Sequence, residues 1–99
     1  MKVLLLCNAG MSTSLLTNKM RQNAGPGDEV DAVPESELPE NIAGVDVILL
    51  GPQIRYKLRE VQAYAAARGV KVGIVDTRAY GMMDGKAALA QARALHTGQ

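Results

Sequence analysis

The residues that stand out chemically are a single cysteine and the small, polar segment that follows it. Cys7 ends the apolar run Val3–Leu6 and is followed by Asn8, Ala9, Gly10, Met11, Ser12, Thr13 and Ser14. A cysteine thiolate is a strong nucleophile, and a loop of small residues lets several backbone N–H groups point at one tetrahedral anion. The segment therefore predicts a site at which sulfur accepts a phosphoryl group.

The elements on either side of this segment favour an anion at Cys7. Val3–Leu6 has the continuous apolar character of a buried strand, and the stretch from Ser12 to about Ala24 has the spacing of a helix. A turn from a strand into a helix N-terminus offers free N–H groups and the positive end of the helix dipole. We therefore expect Cys7 to react as a thiolate.

Strand and helix patterns alternate along the rest of the chain. Further strands are predicted at Glu29–Val33, Val45–Leu50 and Val70–Val75. The helices are predicted at Ser12 to about Ala24 (with Leu15, Leu16 and Met20 on its apolar face), Ile54–Arg68 and Asp84 to about His96, with a short helical turn at Pro39–Ala43. This alternation predicts an α/β fold with an open four-stranded parallel sheet, and the length predicts that residues 1–99 form a single domain.

Ligands of open parallel sheets bind beyond the carboxyl ends of the strands. Three predicted loops meet there: Cys7–Thr13 after the first strand, Gly51–Gln53 after the third and Asp76–Gly81 after the fourth. Gln53 follows the third strand, and its amide is expected either to contact the phosphate or to lie in a surface turn. Tyr80 follows the fourth strand, and it is expected either to line the pocket or to pack with its hydroxyl in water. Asp76 is expected to cap or orient its loop, because a carboxylate beside a phosphate would repel it.

Composition excludes several classes of function. The formal net charge is +1, from 11 basic and 10 acidic residues, so we expect no nucleic-acid partner. We expect no signal peptide, because the apolar run Val3–Leu6 is too short, and no segment approaches the roughly 20 apolar residues of a membrane span. One cysteine cannot form an intramolecular disulfide, which is typical of a reducing cytoplasm.

The spacing after Cys7 separates two kinds of phosphocysteine chemistry. Tyrosine phosphatases carry an arginine six residues after their cysteine, and this chain has Thr13 there. A guanidinium stabilises the transition state of hydrolysis, so its absence favours a carrier that holds and transfers the group. A small phosphatase or arsenate-reductase-like enzyme is one alternative. The other is a non-catalytic anion-binding module in which Cys7 is merely buried.

The residue pattern resembles one family closely. Residues 3–16, Val-Leu-Leu-Leu-Cys-Asn-Ala-Gly-Met-Ser-Thr-Ser-Leu-Leu, resemble the first signature of the IIB component of the lactose/chitobiose (cellobiose) class of the phosphoenolpyruvate-dependent sugar phosphotransferase system. Residues 47–56 resemble its second signature. Val75-Asp76, with Tyr80-Gly81 and Asp84-Gly85, resembles the third. The resemblance covers almost the whole chain.

The resemblance implies a four-stranded parallel sheet with helices on both faces and a phosphatase-like phosphate loop after the first strand. It implies that Cys7 accepts a phosphoryl group from a phosphohistidine on a IIA protein and passes it to a sugar bound by the IIC permease. The protein is then a cytoplasmic phosphotransferase, peripheral to the membrane through IIC and without membrane insertion, a metal or another cofactor. We expect a monomer. Chitobiose, cellobiose and lactose all remain open as the sugar.

Two further sets of residues are consistent with more than one role. Arg55 and Arg59 are predicted to share a helical face, which suits a solvated surface better than a surface for an acidic partner. Met11, Met82 and Met83 suit either an adaptable docking rim or ordinary loop packing.

Overall fold

Four parallel strands form the centre of the structure, a computed structural model that describes residues 1–7 and 13–98. The strands are β1 (Lys2–Cys7), β2 (Glu29–Pro34), β3 (Val47–Leu50) and β4 (Lys71–Ile74). They are ordered β2-β1-β3-β4, and every neighbouring pair is parallel. This confirms the predicted α/β class and parallel sheet.

Helices cover both faces of the sheet, as the resemblance implied. They are α1 (Thr13–Asn23), α2 (Leu38–Asn41), α3 (Leu58–Ala66), α4 (Thr77–Gly81) and α5 (Gly85–Thr97). Side chains alternate between the faces of a strand, and β1 and β3 are buried on both. Val3 and Leu5 pack in a core with residues of α1 and α5. Leu4 and Leu6 pack in a second core with residues of α2 and α3.

The predicted helix over 54–68 is two elements. A 3₁₀ segment, Pro52–Lys57, follows β3, and α3 begins only at Leu58. The buried residue Ile54 has φ −116° and ψ 22°, which is not a helical conformation. Arg55 and Arg59 therefore do not share one α-helix, although both are exposed.

Two other predictions about helices need correction. Helix α4 occupies residues that the sequence predicted to be a loop, and it is stabilised by Asp76, whose carboxylate accepts the N–H of Ala79 at 3.0 Å. Leu15 was predicted on the apolar face of α1 but is 49% exposed, whereas Leu16 and Met20 are fully buried. The face of α1 that contacts the core is therefore narrower than the distribution of apolar residues along the helix predicted.

Helices α1 and α5 approach each other closely at one glycine. A Cβ atom built on Gly85 would overlap the backbone of Lys19 and Met20. Glycine is therefore required here for space, and this contact fixes the start of α5 against α1.

Candidate functional site

Cys7 lies at the carboxyl end of β1, a strand with neighbours on both sides. It pairs with Pro34 of β2. On the other side, the N–H of Gly51 donates to the carbonyl oxygen of Leu6 at 3.0 Å. Cys7 thus pairs directly with β2, and the residue before it is joined to the end of β3, at the edge of the sheet where ligands bind in this class of fold.

The thiol of Cys7 is largely buried. The residue is 9% exposed, and Sγ lies 3.7 Å from the carbonyl oxygen of Val33, its hydrogen-bond acceptor. Because side chains alternate along a strand, Cys7 is on the same sheet face as Val3 and Leu5, the face that α1 and α5 cover.

The predicted phosphate loop lies mostly outside the described residues. This applies to Asn8, Ala9, Gly10, Met11 and Ser12. Thr13 and Ser14 are the first two residues of α1 by their backbone. The strand that ends at Cys7 is therefore followed, within six residues, by the N-terminus of an 11-residue helix.

The carboxyl ends of β1, β3 and β4 lie side by side, as predicted. The N–H of Val75 donates to the carbonyl oxygen of Leu50 at 2.9 Å, and the Gly51–Leu6 bond joins β3 to β1 in the same way. Gln53 is exposed in the 3₁₀ segment after β3. The structure thus brings the connection that carries Gln53 to the same edge as Cys7.

Tyr80 lies in α4, after β4, and its side chain is turned into the protein. It is 9% exposed and belongs to the core on the α1 and α5 face, the face of Cys7. Its hydroxyl is buried and has no hydrogen-bond partner among the described residues. Of the two predicted roles of Tyr80, the one in which its hydroxyl lies in water is wrong, because α4 places the side chain in the core.

Two carboxylates near this edge serve as helix caps. Asp76, which was predicted to cap or orient a loop, caps the helix α4, and Asp84 accepts the N–H of Ala87 at 3.0 Å at the start of α5. Each satisfies an N–H group that a helix N-terminus leaves free. The pattern of an aspartate three residues before a helical alanine could have revealed α4 from the sequence.

An ion pair connects the segment after β2 with the segment after β3. Lys57 Nζ and Glu35 Oε2 are 3.2 Å apart. The hydrogen bond to the Glu35 carboxylate raises the pKa of Lys57, so the ammonium group of Lys57 stays protonated at neutral pH. Since β1 lies between β2 and β3, this pair links the two segments flanking the end of β1.

Comparison with known proteins assigns the family. A family model described as the lactose/cellobiose-specific IIB subunit of the phosphotransferase system matches residues 2–91. The chain belongs to this IIB family.

Individual IIB proteins match over nearly the full chain. The oligo-beta-mannoside-specific EIIB component of Bacillus subtilis is 41% identical over 101 residues, covering 99% of this chain and 98% of that protein. The galactose-specific EIIB component of Lactococcus lactis subsp. cremoris is 39% identical, with 94% of each chain covered. The solution structure of a cellobiose-specific IIB protein from Borrelia burgdorferi superposes with a TM-score of 0.79 at 32% identity, covering 99% of this chain and 93% of that one.

Two observations concern metal ions and membranes. In residues 1–7 and 13–98, no cluster of three or more His, Cys, Asp or Glu side chains could hold a metal ion. No helix in the same residues has the length and apolar character needed to cross a membrane.

Proposed function

We propose that this IIB chain, residues 1–99, acts as one phosphoryl-carrier unit with Cys7 as its covalent site. Cys7 accepts the group from a phosphohistidine on a IIA protein and passes it to a sugar bound by a IIC permease. The observation that carries the proposal is the position of Cys7, at the carboxyl end of an inner parallel strand and shortly before the N-terminus of α1.

Each transfer exchanges one bond to phosphorus for another. In the first, the Cys7 thiolate attacks phosphorus, the S–P bond forms, and the N–P bond of the phosphohistidine breaks; the leaving nitrogen takes up a proton from solvent, so that the donor histidine is released as neutral imidazole. In the second, a sugar hydroxyl attacks, loses its proton and displaces the thiolate. Such transfers need little from the protein beyond positioning and charge stabilisation.

The proposed phosphate loop supplies that stabilisation. Backbone N–H groups of residues 8–14, together with a hydroxyl of Ser12 or Thr13 and the dipole of α1, would hold the phosphoryl oxygens. Gln53 and Tyr80 would form the rim of the pocket. The hydroxyl of Tyr80, which is buried and has no hydrogen-bond partner among residues 1–7 and 13–98, supports this role, because a buried hydroxyl normally has such a partner.

The acceptor is a sugar, and we propose a disaccharide such as chitobiose, cellobiose or lactose. The relatives named above carry oligo-beta-mannoside and galactose specificities at 41% and 39% identity, so IIB sequences of similar distance serve different sugars. This supports a division of labour in which the permease selects the sugar. The chain would then act in the cytoplasm as a monomer and reach the membrane through IIC.

The proposal is tested by phosphorylating the protein. It is incubated with phosphoenolpyruvate, the general phosphotransferase proteins and a IIA protein of the lactose/cellobiose class, and the modified residue is mapped by mass spectrometry. We expect phosphate on Cys7 alone. Phosphate on His96 or on a serine, or no phosphate at all, would overturn the proposal. Steady turnover of an aryl phosphate would instead support the phosphatase alternative.

A further inference from the structure

One side chain of α5 holds the connection between β4 and α4. The Nε2 group of Gln91 donates to the carbonyl oxygen of Ile74, the last residue of β4, and its Oε1 accepts the N–H of Asp76 at 2.9 Å. Most glutamine side chains on proteins extend into solvent. The amide of Gln91 instead satisfies two backbone groups, one on each side of Val75.

The pair of bonds made by Gln91 requires a side-chain amide. One partner is a carbonyl oxygen and the other is an N–H group, so the side chain must offer a donor and an acceptor from the same planar group. An ionised glutamate offers no donor, and a lysine offers no acceptor. Methionine has a similar length and offers no strong donor or acceptor. Substitution at this residue can therefore remove one bond or both.

Gln91 fixes the start of α4. The N–H of Val75 donates to the carbonyl oxygen of Leu50 at 2.9 Å, so the chain from Ile74 to Asp76 is bonded to β3 on one side and to α5 on the other. Asp76 is in turn the N-cap of α4. This helix has only five residues, and a helix of that length is not stable by itself. Its place in the protein is therefore set by the contacts at its ends.

The other end of α4 is attached to α5 as well. The N–H of Asp84, the N-cap of α5, donates to the carbonyl oxygen of Ala79 at 2.8 Å. Met83, between the two helices, has a φ of 52°, a left-handed conformation that is uncommon for a residue other than glycine. At Gly85, α5 also packs directly against the backbone of α1. Helix α5 thus supports α4 at both ends and contacts the helix that follows β1.

Tyr80 is the side chain whose place depends on this support. It is in α4, and its buried hydroxyl has no hydrogen-bond partner among residues 1–7 and 13–98. Its ring lies in the core on the face of the sheet to which Cys7 also belongs. A hydroxyl can hydrogen-bond a phosphoryl oxygen only within a narrow range of distances and angles. Any contribution of this hydroxyl to phosphoryl transfer therefore depends on where α4 is held.

We propose that Gln91 is a positioning residue for phosphoryl transfer at Cys7. It holds α4 in the place from which the Tyr80 hydroxyl reaches the phosphoryl group, and it acts through α4 rather than by contact with the reacting atoms. The inference rests on the proposed function, in which Tyr80 lines the pocket, and extends that function to a residue of α5.

A double-mutant cycle tests whether Gln91 acts through Tyr80. The four proteins are wild type, Gln91→Met, Tyr80→Phe and the double variant. Single-turnover rates of transfer to Cys7 are measured against the concentration of a phosphorylated IIA protein of the lactose/cellobiose class. These data give the rate constant at saturating donor and, separately, the donor concentration at half-maximal rate.

Two further variants complete the set. Gln62→Met is the matched control, because it makes the same substitution at an exposed residue of a different helix, α3. Gln91→Glu keeps an acceptor for the N–H of Asp76 and loses the donor to Ile74, so it takes the place of Gln91→Met if that variant does not fold. Thermal unfolding checks that each protein is folded.

We expect Gln91→Met to lower the saturating rate constant about 10- to 100-fold, because a displacement of about 1 Å at a reacting group has an effect of this size. The loss should not exceed that of Tyr80→Phe. The donor concentration at half-maximal rate should stay within about twofold of wild type, since the interaction is made in the transition state. In the Tyr80→Phe background, Gln91→Met should change the rate less than about twofold, because the hydroxyl that it positions is absent. Gln62→Met should behave like wild type.

The outcomes separate this inference from the proposed function. If wild-type protein takes no phosphate on Cys7, the proposed function is wrong and the inference fails with it. If wild type is phosphorylated and either Gln91→Met or Tyr80→Phe keeps its rate, only the inference is overturned. It is likewise overturned if the losses of the two single variants multiply in the double variant, since Gln91 would then act independently of Tyr80. A failure of both Gln91 variants to fold would assign the residue to the fold alone and would also overturn it.

Discussion

The thiol of Cys7 donates a hydrogen bond to the backbone carbonyl oxygen of Val33, with 3.7 Å between Sγ and O. The acceptor is on β2, an edge strand, so the side chain of the reactive residue contacts the strand beside it. The bond orients the protonated thiol only, and it is lost when the thiol gives up its proton to become the attacking thiolate.

Cys7→Ser is expected to fold normally and to accept no phosphate. Serine fits the space, and its hydroxyl can donate to Val33 as the thiol does, so the free energy of unfolding should change by no more than about 1 kcal/mol. A neutral alcohol lacks the nucleophilicity of a thiolate. Mass spectrometry after incubation with the phosphorylated donor measures the loss, and thermal unfolding measures stability. A variant that still gains phosphate would place the site elsewhere.

Tyr80→Phe is expected to keep or slightly increase stability while slowing phosphoryl transfer. The hydroxyl is buried without a partner among the described residues, so removing it relieves a cost of about 1 kcal/mol or more. If the hydroxyl contacts the phosphoryl group, as we propose, transfer to and from Cys7 loses one hydrogen-bond donor. Single-turnover rates and denaturant unfolding separate the two effects. Unchanged transfer rates would show that Tyr80 serves only the core.

Thr13→Arg is expected to shorten the life of the phosphocysteine. In other enzymes, removing one strong hydrogen-bond donor to the transition state lowers the rate about 10²–10³-fold. Adding a guanidinium at the position that tyrosine phosphatases use should therefore accelerate hydrolysis. The wild-type phosphoprotein, isolated from donor and permease, should release phosphate slowly. Release of inorganic phosphate is followed for both proteins. Rapid hydrolysis of the wild type would favour the phosphatase interpretation over the carrier.

Gly85→Ala is expected to destabilise the protein, because the added methyl group overlaps the backbone of α1 at Lys19 and Met20. Overpacking of this kind costs about 1–3 kcal/mol. Gly81→Ala is the matched control. Gly81 is the last residue of α4, and a Cβ there meets no atom within 4 Å. Denaturant unfolding should show a large loss for Gly85→Ala and little change for Gly81→Ala; equal effects would contradict the close approach.

Asp28 is expected to make stability depend on pH in acid. The N–H of Gly25, the guanidinium of Arg93 and the N-terminal amine, in that order, hold the pKa of the Asp28 carboxyl below its usual value. A carboxyl with a lowered pKa in the folded state stabilises the protein above the unfolded pKa of about 3.9, and this contribution is lost as pH falls through the folded value. The difference in unfolding free energy between wild type and Asp28→Asn should therefore shrink below about pH 4. A difference that stays constant through this range would contradict the prediction.

The sequence by itself determined the strands and the place of the reactive residue. Val3–Leu6 and Val47–Leu50 are continuous apolar runs, which only inner strands covered on both faces require, and both are buried on both faces. Cys7 follows the first run, so its position at the carboxyl end of an inner strand was evident from local pattern. The segment after it carried the resemblance to the family that the comparisons confirm.

Only the tertiary structure decided how the other connections are used. Helix propensity did not reveal that Pro52–Lys57 forms a 3₁₀ segment. The segment includes Ile54, which is buried in a core formed by residues distant in the chain, and local sequence does not report such contacts. Tyr80 is buried because α4 turns it toward the core, and Leu15 is exposed although its neighbour Leu16 is not. Which side of a short helix faces the protein depends on what packs against it, and residues distant in the chain supply that surface.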